Sequence, residues 1–396
     1  LALRALLPFT KYHGLGNDFV LIDARELVFD PALAPLLANW SAVVKELAPR
    51  ICDRHYGIGA DGVILAMPLY GAADTEPFET QSRTRGKKAT GEFPSRHTSP
   101  GASETAGAAF LATEYRSAVS SLTADYPQVD SCELSWVYTN SDGSNAVMCG
   151  NGLRCLALWA RLRGGVEERE FKISTAKGAI AVQLTSDKRI CVDVGQPVLE
   201  AELIPVKAQA GALNVDIAVG RGKISVLAVG MGNPHGVIFD ETVWAGWSDA
   251  VESRGMSDER LKEPDHLDGT ARQELVALAQ FVQNNPAFPQ GVNVEFVQVV
   301  SRDLVRCYVY ERGCGFTLAC ASGAAAVVVA GVQAGLLDRT TSVQLPGGVL
   351  EIAFNETDNR VLITGPASEI FSGVFKLEHL NALELCSDSK AEANCK

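Results

Sequence analysis

Two stretches of this sequence repeat one another, and a chain that carries the same unit twice is constrained to fold as two similar bodies meeting at a shared seam. His13-Gly-Leu-Gly-Asn17-Asp-Phe-Val-Leu-Ile-Asp23 reads against Val229-Gly-Met-Gly-Asn233-Pro-His-Gly-Val-Ile-Phe-Asp240, each a Gly-x-Gly-Asn followed by an apolar strand. Further on, Val137-Tyr138-Thr-Asn140 leads nine residues later to Cys149-Gly-Asn-Gly152, and Val309-Tyr310-Glu311 leads nine residues later to Cys320-Ala-Ser-Gly323. Each half thus offers a strand, a glycine-containing loop, Cys-x-[Asn/Ser]-Gly and an apolar segment. The repeat predicts two domains related by a pseudo-twofold axis, with the matching cysteines at the cleft between them.

Strand signals run over Phe19 to Asp23, Gly62 to Met67, Leu134 to Thr139, Ile180 to Leu184, Ile190 to Val194, Ile224 to Val229, Val294 to Val300, Leu304 to Tyr310, Val349 to Phe354 and Val361 to Thr364, and many of them alternate apolar with polar residues as half-buried strands do. Gly152 to Arg163 and Gly323 to Ala334 are almost wholly apolar and too long for strands, so each is predicted to be a helix buried on most sides. Between Tyr70 and Phe110 there is no Val, Ile, Leu or Met. Such a stretch cannot bury enough apolar surface to offset its ordering entropy, so a disordered insertion is expected at about 70–130.

The 396 residues suit two domains better than one. A net charge of -12 argues against surfaces that track phosphate backbones or anionic lipids, so neither nucleic acid nor membrane is an expected partner. No run of about 18 apolar residues offers a membrane span. The start at Leu1 rather than Met points to a longer precursor or a tag upstream. Ten cysteines (52, 132, 149, 155, 191, 307, 314, 320, 386 and 395) are scattered without a C-x-x-C pair, and the six histidines show no ligand spacing. Free thiols in a reducing compartment and no structural zinc are expected, with a disulfide scaffold as the alternative.

Cys149 and Cys320 each fall where a loop enters a helix, beside unpaired backbone N–H groups and the positive end of the helix dipole. That setting is expected to lower a thiol's pKa. Two helix N-termini aimed at one point would grip a carboxylate, and small residues after each cysteine let a ligand approach the backbone. Removing the weakly acidic α-proton of an amino acid requires stabilisation of the charge that develops on its carboxylate. Inversion then needs a base on one face and an acid on the other, which a thiolate and a thiol from opposing domains supply. A nucleophilic cysteine hydrolase is the competing active reading, but it needs a histidine base and leaves the second thiol without a role.

These stretches resemble diaminopimelate epimerase, from about Phe9 to Gly373 without the loop after Leu69. The resemblance is carried by Tyr12-His-Gly-Leu-Gly-Asn-Asp-Phe19, Gly57-Ile-Gly-Ala-Asp-Gly62, Met148-Cys-Gly-Asn-Gly152, Gly232-Asn-Pro-His235, and Tyr310-Glu-Arg-Gly313 leading to Leu318-Ala-Cys320. It implies an α+β fold of two pseudo-symmetric domains, each a β-sheet wrapped around a buried central helix. Residues 1–196, completed by about 360–396, would form one half and 197–359 the other. The implied reaction interconverts L,L-diaminopimelate and the meso isomer in lysine biosynthesis, with no cofactor and no metal. Cys149 and Cys320 match the two acid/base thiols, while Glu311 and His235 match residues close to the reacting centre. Gly150, Asn151, Ala321 and Ser322 match the backbone groups that hold the reacting carboxylate. Asn17, Asn140, Asn233, Asn293 and Arg312 match the polar set that reads the distant amino-carboxylate end. Asparagine offers donor and acceptor together, and arginine clasps a carboxylate through two parallel bonds.

Three positions depart from the family's pattern. Ala321 replaces a glycine, and its methyl is expected to crowd the carboxylate or to strain the backbone if φ is positive. Phe316 replaces a small or acidic residue, and Gly291 stands where an arginine often precedes the Val-Asn pair. A proline racemase or hydroxyproline epimerase is a rival of the same fold, but those resemble Met-Cys-Gly-His-Gly at the first thiol, where this chain has Asn151. A one-ended substrate would also leave Arg312 and Asn293 without a partner. A rival of another class is a non-catalytic or redox-regulated binding protein in which Cys149 and Cys320 form a reversible disulfide. The insertion resembles that of a eukaryotic gene product, so the plastid stroma is the expected compartment, with a bacterial cytoplasm as alternative, and a homodimer is the expected assembly.

Overall fold

The computed structural model describes residues 6–69, 113–127, 131–145, 148–207, 213–219, 222–239 and 269–377. In the first half the strands are β1 (Leu6–Gly14), β2 (Asn17–Asp23), β3 (Gly62–Pro68), β4 (Leu134–Asn140), β5 (Glu170–Thr175), β6 (Gly178–Leu184) and β7 (Ile190–Asp193). The second half contributes β8 (Asn214–Val219), β9 (Gly222–Gly230), β10 (Pro234–Ile238), β11 (Asn293–Ser301), β12 (Leu304–Glu311), β13 (Gly315–Thr317), β14 (Thr340–Leu345) and β15 (Gly348–Phe354), followed by β16 (Val361–Gly365) and β17 (Ser368–Lys376). The helices are α1 (Ala24–Phe29), α2 (Ala34–Ala38), α3 (Trp40–Cys52), α4 (residues 113–122), α5 (Gly150–Trp159), α6 (Gly269–Gln283) and α7 (Ala321–Gln333).

The duplication is written in the strand pairing. From β1 to β7 successive neighbours pair antiparallel, parallel, antiparallel, parallel, antiparallel and antiparallel. The series β9, β10, β11, β12, β14, β15, β16 repeats that order of directions without change. Parallel neighbours need a long crossover. Here β2 to β3 crosses through α1–α3, β10 to β11 through the segment holding α6, β4 to β5 through α5, and β12 to β14 through α7.

The crossovers alternate between faces of the sheet. α1–α3 pack Leu27, Leu36, Trp40, Val43 and Leu47 against the outer face of the first sheet, and α6 packs Leu275, Ala279 and Val282 against the outer face of the second. α5 and α7 lie inside, each the axis of its own core. Ala324 to Gly331 of α7 are all buried, and the small Ala and Gly side chains let strands close around the helix. Its three consecutive valines are poor helix formers. Full burial of each is worth about 1.5–3 kcal/mol, so packing rather than propensity holds the helix.

The halves exchange their edges. β17 pairs antiparallel with β1, as β8 does with β9, so a strand from near the chain's end completes the first sheet. β7 and β16, equivalent by the repeat, pair with each other from Asp193–Leu362 to Ile190–Gly365 and form the seam.

The α+β class and the duplication are as the sequence implied, and the ten expected strands all form with small shifts at their ends. The first buried helix begins at Gly150 and ends at Trp159, continuing as a wider π turn over Ala160–Gly164. The expected disorder at about 70–130 needs correction at its end, because residues 113–122 are helical and Tyr115 and Val119 are buried in the first outer core. Its remainder to residue 112, with 128–130, lies outside the described residues. Among the described residues, no helix is long and apolar enough to cross a membrane.

Candidate active site

Cys149 is the N-cap of α5 and Cys320 the N-cap of α7, both in extended backbone. Each carbonyl accepts the first intrahelical bond, from Leu153 N at 2.9 Å and Ala324 N at 3.0 Å. Each sulfur plays the part a serine hydroxyl plays at an N-cap, accepting from the amide three residues on: Gly152 N to Cys149 Sγ is 3.3 Å and Gly323 N to Cys320 Sγ is 3.4 Å. Glycine gives close-packed neighbours room at both third positions. A Cβ on Gly152 would stand 3.2 Å from the Trp136 ring, and one on Gly323 would stand 2.9 Å from Glu295 Oε1.

The two helix starts touch. A Cβ on Gly150 would fall 2.9 Å from the Ala321 methyl, so the backbone after one cysteine abuts the backbone after the other. Asn151 ties the halves together, its Nδ2 donating to Asn17 Oδ1 at 2.9 Å and across the seam to the Ala319 carbonyl at 3.1 Å. The Cys149 thiol lies 3.9 Å from Asn17 Oδ1, and Ser322 Oγ lies 3.4 Å from Cys320 Sγ.

Glu311 hydrogen-bonds Cys320 and accepts from Thr317 Oγ1 at 2.6 Å. Its charge bears on both thiols. His235 is fully buried, with Nδ1 2.6 Å from Glu295 Oε1 and Nε2 2.9 Å from Asn233 Oδ1. Asn293 is the parallel neighbour of His235, and its Oδ1 accepts from Arg312 N at 2.9 Å. The Arg312 side chain is exposed and donates to the Gln290 carbonyl at 2.6 Å. Asn140 stands at the end of β4 and donates to Ser144 Oγ at 2.9 Å, without a bond to either cysteine. Cys149, Cys320, Gly150, Asn151, Asn17, Ala321, Ser322 and Glu311 therefore form one cluster, while His235, Asn233, Asn293 and Arg312 form a chain of contacts leading away from it.

The expectation of lowered thiol pKa values is overturned. Burial pushes Cys149 up to about 11, against the opposing pull of the Gly152 and Asn151 amides and of Arg154, while Glu311 pushes it further. Cys320 is pushed well above its ordinary range, first by burial and then by Glu311. Desolvation of a thiolate outweighs the helix N-terminus. The same burial raises the Glu311 carboxyl.

The three departures find physical places. Ala321 is absent from the residues with positive φ, so its methyl costs no backbone strain, and it is directed at Gly150. Phe316 packs edge-on to Tyr310 at 5.2 Å and near Phe296 at 6.3 Å, in the outer core of the second half. Gly291 has φ 70, and a Cβ there would stand 3.1 Å from Arg312 Cδ.

Sequence reasoning passed over four residues of this neighbourhood. Asp61 Oδ2 accepts from Asn17 Nδ2 at 2.6 Å, and Thr317 holds Glu311. Arg154 and Glu295 are fully buried charges beside the two helix starts. Their signal was available, since each is a charged residue inside an otherwise apolar run.

The family model described as diaminopimelate epimerase matches residues 101–200 and 265–370. The chain is 36% identical over 370 residues to the diaminopimelate epimerase of Synechocystis sp., covering 93% of this chain and 98% of that protein. It is 35% identical over 379 residues to that of Heliobacterium modesticaldum, covering 94% of this chain and 100% of the relative. Among solved structures, a hydroxyproline epimerase from Agrobacterium vitis with bound trans-4-hydroxy-L-proline superposes with TM-score 0.52 at 12% identity, covering 96% of this chain and 94% of that one. A probable proline racemase from Agrobacterium radiobacter gives TM-score 0.50 at 13% identity, over 95% of each chain. At that identity the structures share the fold alone.

Proposed function

Because the chain belongs to the diaminopimelate epimerase family, we propose that Cys149 and Cys320 are the base and acid with which it inverts one α-carbon. The enzyme is an amino-acid epimerase of lysine biosynthesis that interconverts L,L-diaminopimelate and meso-diaminopimelate. One thiolate takes the α-proton, the electron pair of that C–H bond moves onto the adjoining carboxylate, and the other thiol delivers its proton to the opposite face. The first sulfur then holds the proton and the second the charge, so the reverse reaction starts from the mirror state. Backbone N–H groups of Gly150, Asn151, Ala321 and Ser322 stabilise the carboxylate while it carries the extra charge. Glu311 and His235 stand near the reacting centre, and Asn17, Asn140, Asn233, Asn293 and Arg312 recognise the distant amino-carboxylate end.

The observation that carries this reading is the abutment of two helix starts, each capped by a cysteine, at Gly150 and Ala321. Raised thiol pKa values fit a site in which one sulfur gives up its proton when the positive ammonium group of a bound amino acid comes against it. Incubation of reduced protein with L,L-diaminopimelate in deuterated water is expected to give meso product with deuterium at one α-carbon. Cys149→Ala and Cys320→Ala are each expected to abolish inversion, and near-normal turnover in one of them would refute the paired mechanism.

We divide the chain functionally into residues 1–196 with 360–396 and residues 197–359, two bodies that close over substrate. A homodimer is proposed for the assembly, supported by the exposed Ile370, Phe371 and Val374 on β17, an edge strand among the described residues. The plastid stroma is proposed for its compartment, supported by the cyanobacterial relatives.

A further inference from the structure

We propose that Arg154 and Glu295 make the two cysteines unequal, so that Cys149 is the sulfur that gives up its proton first and Cys320 the one that keeps it. This rests on the paired-thiol reading and adds to it which sulfur ionises first. The repeat supplies the comparison. Arg154 is the fifth residue after Cys149, and the fifth after Cys320 is Ala325. Beneath Gly323 lies Glu295, whereas beneath the equivalent Gly152 lies Ile64. His235 follows Asn233 by two residues, as Phe19 follows Asn17. Where one half keeps apolar groups, the other has placed a charge, a cation near Cys149 and an anion near Cys320.

Arg154 is fully buried, and its guanidinium donates to Asn151 Oδ1 at 2.7 Å, the Gly150 carbonyl at 3.2 Å and the Pro366 carbonyl at 3.3 Å. All three acceptors are neutral, and among the described residues no carboxylate forms an ion pair with it. A buried cation without a counterion is costly. Two thiols bear on it: Cys155, which burial in the helix core pushes far up, and Cys149, whose sulfur caps the helix turn that Arg154 holds and whose ionised form Arg154 favours.

Glu295 is its opposite. One oxygen meets His235 Nδ1 at 2.6 Å, and Oε2 is buried with no hydrogen-bond partner. His235 is held between Glu295 on one ring nitrogen and Asn233 on the other, which fixes the carboxylate in place. The carboxylate faces Gly323, within the first turn capped by Cys320, and opposes ionisation there. Glu311 opposes ionisation of both sulfurs and adds to the inequality through its hydrogen bond to Cys320.

The test is alkylation of reduced, substrate-free protein with iodoacetamide, in which a thiolate sulfur displaces iodide and forms a thioether, followed in time by peptide mass mapping. Cys149 is expected to be labelled at least about tenfold faster than Cys320, and Glu295→Gln, which keeps the side chain's shape, is expected to shrink that ratio by about tenfold, as loss of a charge within one helical turn requires. In urea the ratio should fall to about one. A faster Cys320 in the wild type, or a ratio that Glu295→Gln leaves unchanged, overturns the assignment. The wild-type ratio needs no variant to fold. Turnover of the cysteine-to-alanine variants judges the paired mechanism separately, so the two ideas can fail independently.

Discussion

Gly150→Ala is the most exacting test of the geometry, because a single methyl is placed between the two helix starts. The added Cβ would stand 2.9 Å from the Ala321 methyl. Carbon atoms in contact prefer about 3.5–4.0 Å, so α5 and α7 must part by about 1 Å at their N-termini. Overpacking of this kind costs about 1–3 kcal/mol of stability. The larger consequence is for chemistry, since a displacement of about 1 Å between groups that must meet one substrate atom costs on the order of 100-fold in turnover. Initial rates of meso product formation, with thermal melts of the same samples, measure both. The double variant Gly150→Ala, Ala321→Gly moves the methyl from one helix to the other and restores the space, so it should recover most of the lost turnover. Full activity in Gly150→Ala, or a double variant as impaired as the single one, would refute the claim that these turns abut at the reacting centre.

Two further outcomes follow from the same site. Asp61→Ala removes the acceptor that holds Asn17 Nδ2 at 2.6 Å, so steady-state kinetics should show KM raised about tenfold with kcat changed less, the scale of one charge-assisted hydrogen bond, and an unchanged KM would contradict that anchoring role. Stability should decline in alkali: the Cys149 thiol ionises near 11 in the folded chain against 9.0 when exposed, and Cys320 higher still, so the unfolded chain gives up these protons first as pH rises. The thiol contribution is full below about pH 9 and is lost as pH passes through 11. Melting temperatures should fall across that window, less steeply in Cys149→Ala, and an identical slope in both proteins would count against a buried, neutral thiol.

The repeat told most of what mattered here. Strands with one wet face announced themselves by alternation, and both apolar helices were legible from their length. β1 was not, because Tyr12 and its neighbours are buried on both sides of the strand and lose the alternating pattern. β17 alternates only weakly and is fixed by its partner β1, almost a whole chain away, which no local pattern encodes. Within the site, the cysteines and their glycines could be read because capping is local chemistry. The pKa direction could not, because it depends on how completely strands from elsewhere remove water from around the sulfur. The role of Ala321 was equally hidden, since it depends on which atom of the other half faces its methyl.

The exchange of edge strands also dictates how the molecule must be made. A nascent polypeptide leaves the ribosome amino end first, so β1 emerges long before β17 and keeps one row of backbone amides and carbonyls unclaimed until β17 follows, after both cysteines have been made. β7 waits similarly for β16. The first half is therefore the last to be finished, and a message truncated before the codons for β17 would release a protein with both cysteines present and an open, adhesive margin along β1.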